Sequence, residues 1–320
     1  MLGKGEFGRI RDLLTPLSGK GAFDLKDDAG VISGIPGHEI VVTTDTIVAG
    51  VHFLGSESPE EIAAKLLRVN LSDLAAMGTK PICYTLNWSL PSSYGDEWVT
   101  SFCAGLKVQQ EAFGIYLLGG DSTSTPGPAC LTATLFGHVP RGQILRRVGT
   151  KLGETIFVSG TIGDGALGLL ATKGMLTDLD EVLVQKLIGR YRIPEPRIRL
   201  GIALRGRASA VADISDGLLA DIGHLAELKG LGAEVNMAEI PLSCEARNAL
   251  AKNGELWQVI VGGGDDYELV FTGEQNLADL LLNVGVNITA IGKITAEPSV
   301  RLVGPDGNIM PVNKEGYCHS

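Results

Sequence analysis

The stretch EIVVTTDTIVAGVHF, residues 39–53, begins as a buried strand and then departs from one. Ile40, Val41 and Val42 are β-branched and apolar, and such side chains pack well on a pleated surface. Thr43, Thr44 and Asp45 follow directly, and His52 stands beside Phe53. A turn accounts for one hydroxyl or carboxylate at a strand end, but poorly for three in succession. The pattern describes a strand that delivers oxygen donors.

The rest of the chain repeats it. Asp27 and Asp28 precede the apolar AGVI. Asp121 ends IYLLGGD behind Gly119 and Gly120, and Asp213 and Asp216 bracket Ser215 in ADISDGL. Asp265 and Asp266 follow three glycines in GGGDDYELVF. Each alone reads as a turn residue or helix cap, Asp216 as the cap of the helix behind it. Asp73, in VNLSDLAAMG, fits that reading worst. It lies within an apolar helical stretch, where an unpaired buried charge is costly. Taken together, hard oxygen donors at several strand ends suit magnesium, the ion that accompanies triphosphates.

Strands and helices alternate around these points. A helix is expected over residues 6–14, and LKDDAGVI reads as a loop leading to the strand at Ile40. Ser58-Pro59-Glu60-Glu61 is a helix start that should run to Met77 and stop at Gly78. ICYTLNWSL, IYLLGGD and ACLTATLFGHV read as strands, and 98–113 as a helix. The polar, glycine-bearing PRGQILRRVGTKLGE carries the expected boundary, giving domains 1–142 and 143–320. Beyond it TIFVSG, SAVADIS, YELVFTG and ITAIGKI read as strands. Helices are expected from about Gly165, through 180–205, and over GLLADIGHLAELKG. The fold class is α+β or mixed α/β.

Composition narrows the function. Of 320 residues, 44% are hydrophobic, enough for real cores, and the length suggests two domains. Aromatics make up 5%, the net charge is −10, and no basic tract exceeds Arg146-Arg147, which argues against a nucleic-acid surface. Five dispersed cysteines without a C-x-x-C pair fit a reduced, cytoplasmic enzyme. The N-terminal sequence lacks the apolar core of a signal peptide, and no apolar run suits a membrane span. Neither the P-loop pattern nor the protein-kinase motifs are present. Gly163, Gly165 and Gly168 form one G-x-G-x-x-G, but the residues to Leu204 read as helical instead of returning to a parallel strand. A glycine turn opening a helix still offers amides to a phosphate.

GEFGRI, DDAGVI, VVTTDTIVAGVHF, KLLRVNLSDLAAMG, LLGGDSTSTPGP, DISDGLLADIGHLAE, GGGDDYELVF and the closing KEGYCH resemble, in order and spacing, the motifs of the thiamine-monophosphate kinase family. The resemblance covers essentially the whole chain. The wider superfamily of aminoimidazole ribonucleotide synthetase, selenophosphate synthetase and a hydrogenase maturation factor shares the aspartate strand ends, but not this combination. The resemblance implies the two-domain aminoimidazole ribonucleotide synthetase-like fold. In it, residues 1–142 bind ATP and magnesium and dimerise, and 143–320 complete the cleft. It further implies a homodimer whose N-terminal sheets pair into a barrel, and transfer of phosphate from ATP to thiamine monophosphate with several magnesium ions.

Residue by residue, the resemblance assigns Asp28, Thr43, Thr44, Asp45, Asp73, Asp121, Asp213 and Asp216 to magnesium. Gly120, Asp121, Arg147 and Ser215 go to ATP, and His52, Asp265 and Tyr317 to the substrate. Lys65 matches a lysine on the helix of Asp73. A phosphate acceptor is already largely ionised near neutral pH, since the second pKa of a phosphate monoester is about 6. No general base is therefore assigned; positioning and charge neutralisation would carry catalysis. The sequence departs from the family in three places. Lys26 replaces a glycine before the paired aspartates, Asp265 replaces a glutamate, and Cys103 stands where an aromatic residue is common. Two other readings stay open. One is another ATP-dependent enzyme of the superfamily, and the other a non-catalytic nucleotide- or thiamine-binding protein.

Overall fold

The computed structural model describes residues 8–281 and 283–311. The chain divides into two compact units. One runs through Leu74 and resumes over Thr79–Gly142; the other comprises Ala75–Gly78 and the chain from Gln143.

The first unit holds one four-stranded sheet built from β1 (His38–Val48), β2 (Lys80–Leu90), β3 (Tyr116–Ser124) and β4 (Cys130–Pro140). The strand order is β1-β4-β2-β3, with β4 antiparallel to both neighbours and β2 parallel to β3. Two 18-residue helices accompany it, α1 (Pro59–Ala76) and α2 (Asp96–Phe113). Ser58 and Glu61 start α1 reciprocally. Ser58 Oγ accepts from the Glu61 amide at 3.2 Å, and Glu61 Oε2 from the Ser58 amide at 2.7 Å. One face of the sheet is dry: Val41, Ile47, Leu86, Trp88, Leu131, Ala133 and Leu135 are buried. The other face of β1 is open, with Ile40 and Val42 46% and 58% exposed. The described part of the expected first helix is helical, with a π-type turn over Ile10–Leu14 and a 3-10 turn over Thr15–Leu17.

Among the described residues the second unit carries seven strands. β5 (Thr155–Ser159), β6 (Ala210–Asp213), β8 (Leu269–Gly273) and β9 (Ile288–Thr295) lie where the apolar runs predict. β7 (Gly232–Asn236), β10 (Val300–Val303) and β11 (Ile309–Met310) are additional. The order is β11-β10-β7-β9-β5-β8-β6, antiparallel except between β10 and β7. Helices α3 (Asp164–Thr172), α4 (Glu181–Arg192), α5 (Ile198–Leu204) and α6 (Leu218–Glu227) match the expected ones; α7 (Cys244–Lys252) and α8 (Trp257–Gly262) are additional. GAEVN offers only one large β-former, so β7 takes its place by pairing with β9 and β10 and not by local preference. The core runs from Ile156 and Val158 on β5 through Ile222 and Leu225 on α6 to Ile291 on β9.

Candidate active site

The pleat of β1 sorts the opening triplet. Val41, Thr43, Asp45 and Ile47 alternate with the exposed Ile40, Val42, Thr44 and Thr46, so Thr43 and Asp45 share the covered face. There the Thr43 hydroxyl donates to Asp73 Oδ2 at 2.6 Å. The carboxylate that looked misplaced in an apolar helix is thus half-buried and aimed at the middle of β1, which does not end at the triplet but runs on to Val48, because every residue from His38 to Val48 pairs with β4. Thr44 turns the other way, its hydroxyl 3.0 Å from that of Thr134. The three consecutive donors therefore do not present their side chains together, because a period of two forbids it.

Asp28, Gly120 and Asp121 lie together elsewhere in the unit. They line a cavity of about 360 Å³, with Thr85, Trp88, Leu118 and Ser122 among its walls. The Trp88 indole donates to Ser122 Oγ at 2.6 Å, and Asp121 Oδ1 accepts the Ser122 amide at 2.9 Å. A Cβ on Gly120 would stand 1.8 Å from the Leu86 carbonyl oxygen, so strand pairing alone requires glycine there. Gly120 also stands in a transverse row with Asp45, since Asp45 pairs with Ala133, Ala133 with Leu86, and Leu86 with Gly120. Asp45 and Gly120 thus occupy the same level on opposite edges of the sheet.

His52 closes the turn behind β1. Its Nδ1 accepts the Val48 amide at 3.1 Å, which puts the proton of the neutral ring on Nε2. The buried Lys65 donates to the His52 carbonyl at 3.2 Å, so Lys65 supports the histidine turn. Lys26 pairs with Asp24 in the open at 3.2 Å. Cys103 is buried in α2, and burial raises its thiol pKa to about 12. Tyr317 lies outside the described residues.

In the second unit, Asp213 ends β6 and is buried, while Ser215 and Asp216 are half-buried in the turn that follows. Asp216 does not cap α6. Asp221, one turn into the helix, folds back instead. Its Oδ2 accepts the amides of Ser215, Asp216 and Gly217 at 3.1, 3.2 and 3.2 Å. Burial, reinforced by Asp213 and Asp216, raises the Asp221 pKa to about 7. Arg147 is exposed and lines a cavity of about 390 Å³ with His224, Glu227 and Leu228.

The segment GGGDDYE is held from every side. Asp265 and Tyr267 adopt left-handed backbone conformations, φ +70° and +53°. Their amides donate to the carbonyls of Ser215 and Ile214 at 3.0 and 2.8 Å. A Cβ on Gly264 would stand 1.9 Å from the Ser215 oxygen, so glycine permits this approach. Asp266 points inward. It accepts the Gly163 amide at 2.6 Å and the Gly165 amide at 2.8 Å, with burial raising its pKa to about 8. Glu268, wholly buried, accepts from Arg197 Nε at 2.6 Å, Arg190 Nη2 at 3.0 Å and Ser159 Oγ at 2.6 Å. The glycine turn opening α3 is therefore occupied by Asp266 and offers Gly163 and Gly165 to no phosphate. The sequence reading names Asp266 only beside Asp265 behind the three glycines, and it missed Asp221 and Glu268. The signal was available, since each is an acid within or beside an apolar run, as Asp73 is.

Residues 26–139 match the AIR synthase related protein N-terminal domain, and residues 151–304 its C-terminal domain. A thiamine-monophosphate kinase of Caulobacter vibrioides is 40% identical over 98% of this chain and 90% of its own length. The crystal structure of thiamine-monophosphate kinase from Stenotrophomonas maltophilia K279a superposes with a TM-score of 0.81 at 38% identity, covering 89% of this chain and 91% of that one. AaThiL complexed with AMPPCP and TMP gives 0.79 at 31% identity, covering 99% and 97%. The fold is thus the two-domain AIR synthase type, and the chain belongs to the thiamine-monophosphate kinase family.

Proposed function

We propose that this chain transfers the γ-phosphoryl group of ATP directly and in line to thiamine monophosphate, giving ADP and thiamine diphosphate. The observation that carries the reading is full-length kinship with a relative complexed with AMPPCP and TMP. The donor chemistry fits magnesium. Thr43, Asp45 and Asp73 gather on one face, Asp28 and Asp121 line one cavity, and Asp213 and Asp216 flank one turn, all offering hard oxygen. Bound there, magnesium would neutralise phosphate charge. Gly120, Asp121, Arg147 and Ser215 are assigned to ATP, and His52, Asp265 and Tyr317 to thiamine monophosphate. The acceptor oxygen needs no base, so these residues serve by holding two anions in line.

The same proposal includes a homodimer whose first-unit sheets pair into a barrel. Its support is the open face of β1, where Ile40 and Val42 leave apolar surface uncovered. Residues 1–142 would carry the dimer contact, with Gly120 and Asp121 for ATP, His52 for the substrate and most of the magnesium ligands, and 143–320 would add Asp213 and Asp216 for magnesium, Arg147 and Ser215 for ATP, and Asp265 and Tyr317 for the substrate. A cytoplasmic location is proposed from the unpaired cysteines at 83, 103, 130 and 244. Among the described residues no helix is long and apolar enough to cross a membrane.

ADP release, followed with a coupled assay, is expected only when ATP, magnesium and thiamine monophosphate are all present. Thiamine itself and the acceptors of related synthetases should give none. Turnover with one of those acceptors instead would assign the chain to a different chemistry.

A further inference from the structure

The Asp221 carboxylate is wholly buried, and its two oxygens are treated differently. Oδ2 accepts the amides of Ser215, Asp216 and Gly217 at 3.1, 3.2 and 3.2 Å. Oδ1 has no hydrogen-bond partner among the described residues. A buried carboxylate oxygen left this way is costly, and Asp213 and Asp216 add their own negative charge around it. A bound cation answers both.

The neighbours supply the rest of a ligand set. Asp221 and His224 lie three residues apart on α6 and so share one face of the helix, and Asp216 stands in the turn just before it. Among the described residues, ligand atoms of Asp216, Asp221 and His224 all lie within 4.8 Å of one another. Opposite ligands of an octahedral ion with bonds of about 2.1 Å stand about 4.2 Å apart, so a small rotation of the exposed His224 ring closes the set. The three amides on Oδ2 fix the Asp221 carboxylate as outer-shell partners fix a ligating one, and they leave Oδ1 for the ion. His224 also lines the cavity of about 390 Å³ with Arg147 and Glu227, which gives an entry path. The imidazole separates this group from the all-oxygen donors assigned to magnesium, since ring nitrogen favours ions such as zinc, cobalt or nickel.

We propose that Asp216, Asp221 and His224 bind a divalent cation of the zinc or cobalt type, at a site separate from the magnesium positions assigned above. Asp216 belongs to both sets, so an ion held here withdraws a carboxylate from magnesium and antagonises it. The binding is independent of the kinase reading; the antagonism rests on it.

Equilibrium dialysis of the tag-free, substrate-free protein against Co2+, with the visible spectrum recorded, tests the site. One tightly bound Co2+ per chain is expected, with d–d bands and without thiolate charge-transfer absorption. His224→Ala should weaken binding about a hundredfold, since loss of an outer-shell partner alone costs about tenfold to a hundredfold. Asp221→Asn should weaken it comparably; should that variant fail to fold, the exposed His224→Ala decides alone. Asp213→Asn, which removes a proposed magnesium ligand outside this group, should keep the ion within a few-fold. No tight uptake by the wild type, thiolate absorption, or an affinity unchanged in His224→Ala overturns the site. Loss of the ion in Asp213→Asn to the same degree would merge it with the magnesium positions and overturn it as a separate site. In turnover assays Zn2+ should inhibit the wild type in competition with magnesium, and His224→Ala should need at least about tenfold more Zn2+ for the same fractional inhibition. Equal sensitivity of the two overturns the antagonism. A wild type that binds Co2+ but does not turn over thiamine monophosphate would remove the kinase reading and the antagonism together, and leave the binding site standing.

Discussion

Asp73→Asn will fold and lose turnover by about a hundredfold to a thousandfold, the scale of removing one preorganised group that stabilises transferred charge. The substitution keeps the shape of the side chain, and an amide oxygen can still accept from Thr43 Oγ1, so the contact at 2.6 Å survives. The surrounding helix face, with Leu71, Leu74 and Ala75 wholly buried, is unchanged. The charge is what disappears. A neutral amide binds magnesium far less well than a carboxylate, and phosphoryl transfer relies on charge neutralisation because the protein supplies little covalent chemistry. Circular dichroism and Tm should match the wild type while kcat collapses. Near-native kcat at saturating magnesium would show that Asp73 is a structural partner of Thr43 and no metal ligand.

Asp265→Ala should act on a different quantity. The residue is proposed to meet the pyrimidine of thiamine monophosphate, remote from the reacting phosphates. An interaction equal in ground and transition states changes KM more than kcat. Losing a hydrogen bond to a charged group costs about 1.5–3 kcal/mol, or roughly tenfold to a hundredfold in affinity. KM for thiamine monophosphate should rise by about that factor, with KM for ATP little changed. The left-handed backbone at φ +70° supplies a control, because Asn tolerates that conformation better than Ala. Asp265→Asn therefore tests the charge without the strain, and Asp265→Glu, which restores the family's longer side chain, should be tolerated. Steady-state kinetics with each substrate varied in turn decides. A large loss of kcat, or an effect confined to ATP, would assign Asp265 to the phosphates.

The sequence shows the strands and the chemistry more clearly than it shows their arrangement. Apolar, β-branched runs such as residues 39–48 and 155–159 form strands because burial and local preference agree there. β7, β10 and β11 escape notice because they exist by pairing with neighbours. Asp73 announces itself as a carboxylate in an apolar helix, yet the same signal at Asp221 and Glu268 passes unread. Asp221 reads as part of an amphipathic helix, and Glu268 as the start of a strand. Asp266 shows why the glycine turn at 163–168 is a decoy: a buried carboxylate 101 residues away from Gly165 takes its amide. Nor can spacing along the chain reveal that Asp45 and Asp121 stand on opposite edges of one sheet. That follows from strand order, which only the fold supplies.

Direct transfer from ATP to thiamine monophosphate makes the fate of the phosphorus decisive. With ATP labelled at the γ-phosphate, the label should appear in thiamine diphosphate in step with ADP, and none should remain on acid-quenched protein at any time within the first turnover. Label released as inorganic phosphate while thiamine monophosphate stays unchanged, or label held covalently on the chain before product forms, would contradict it.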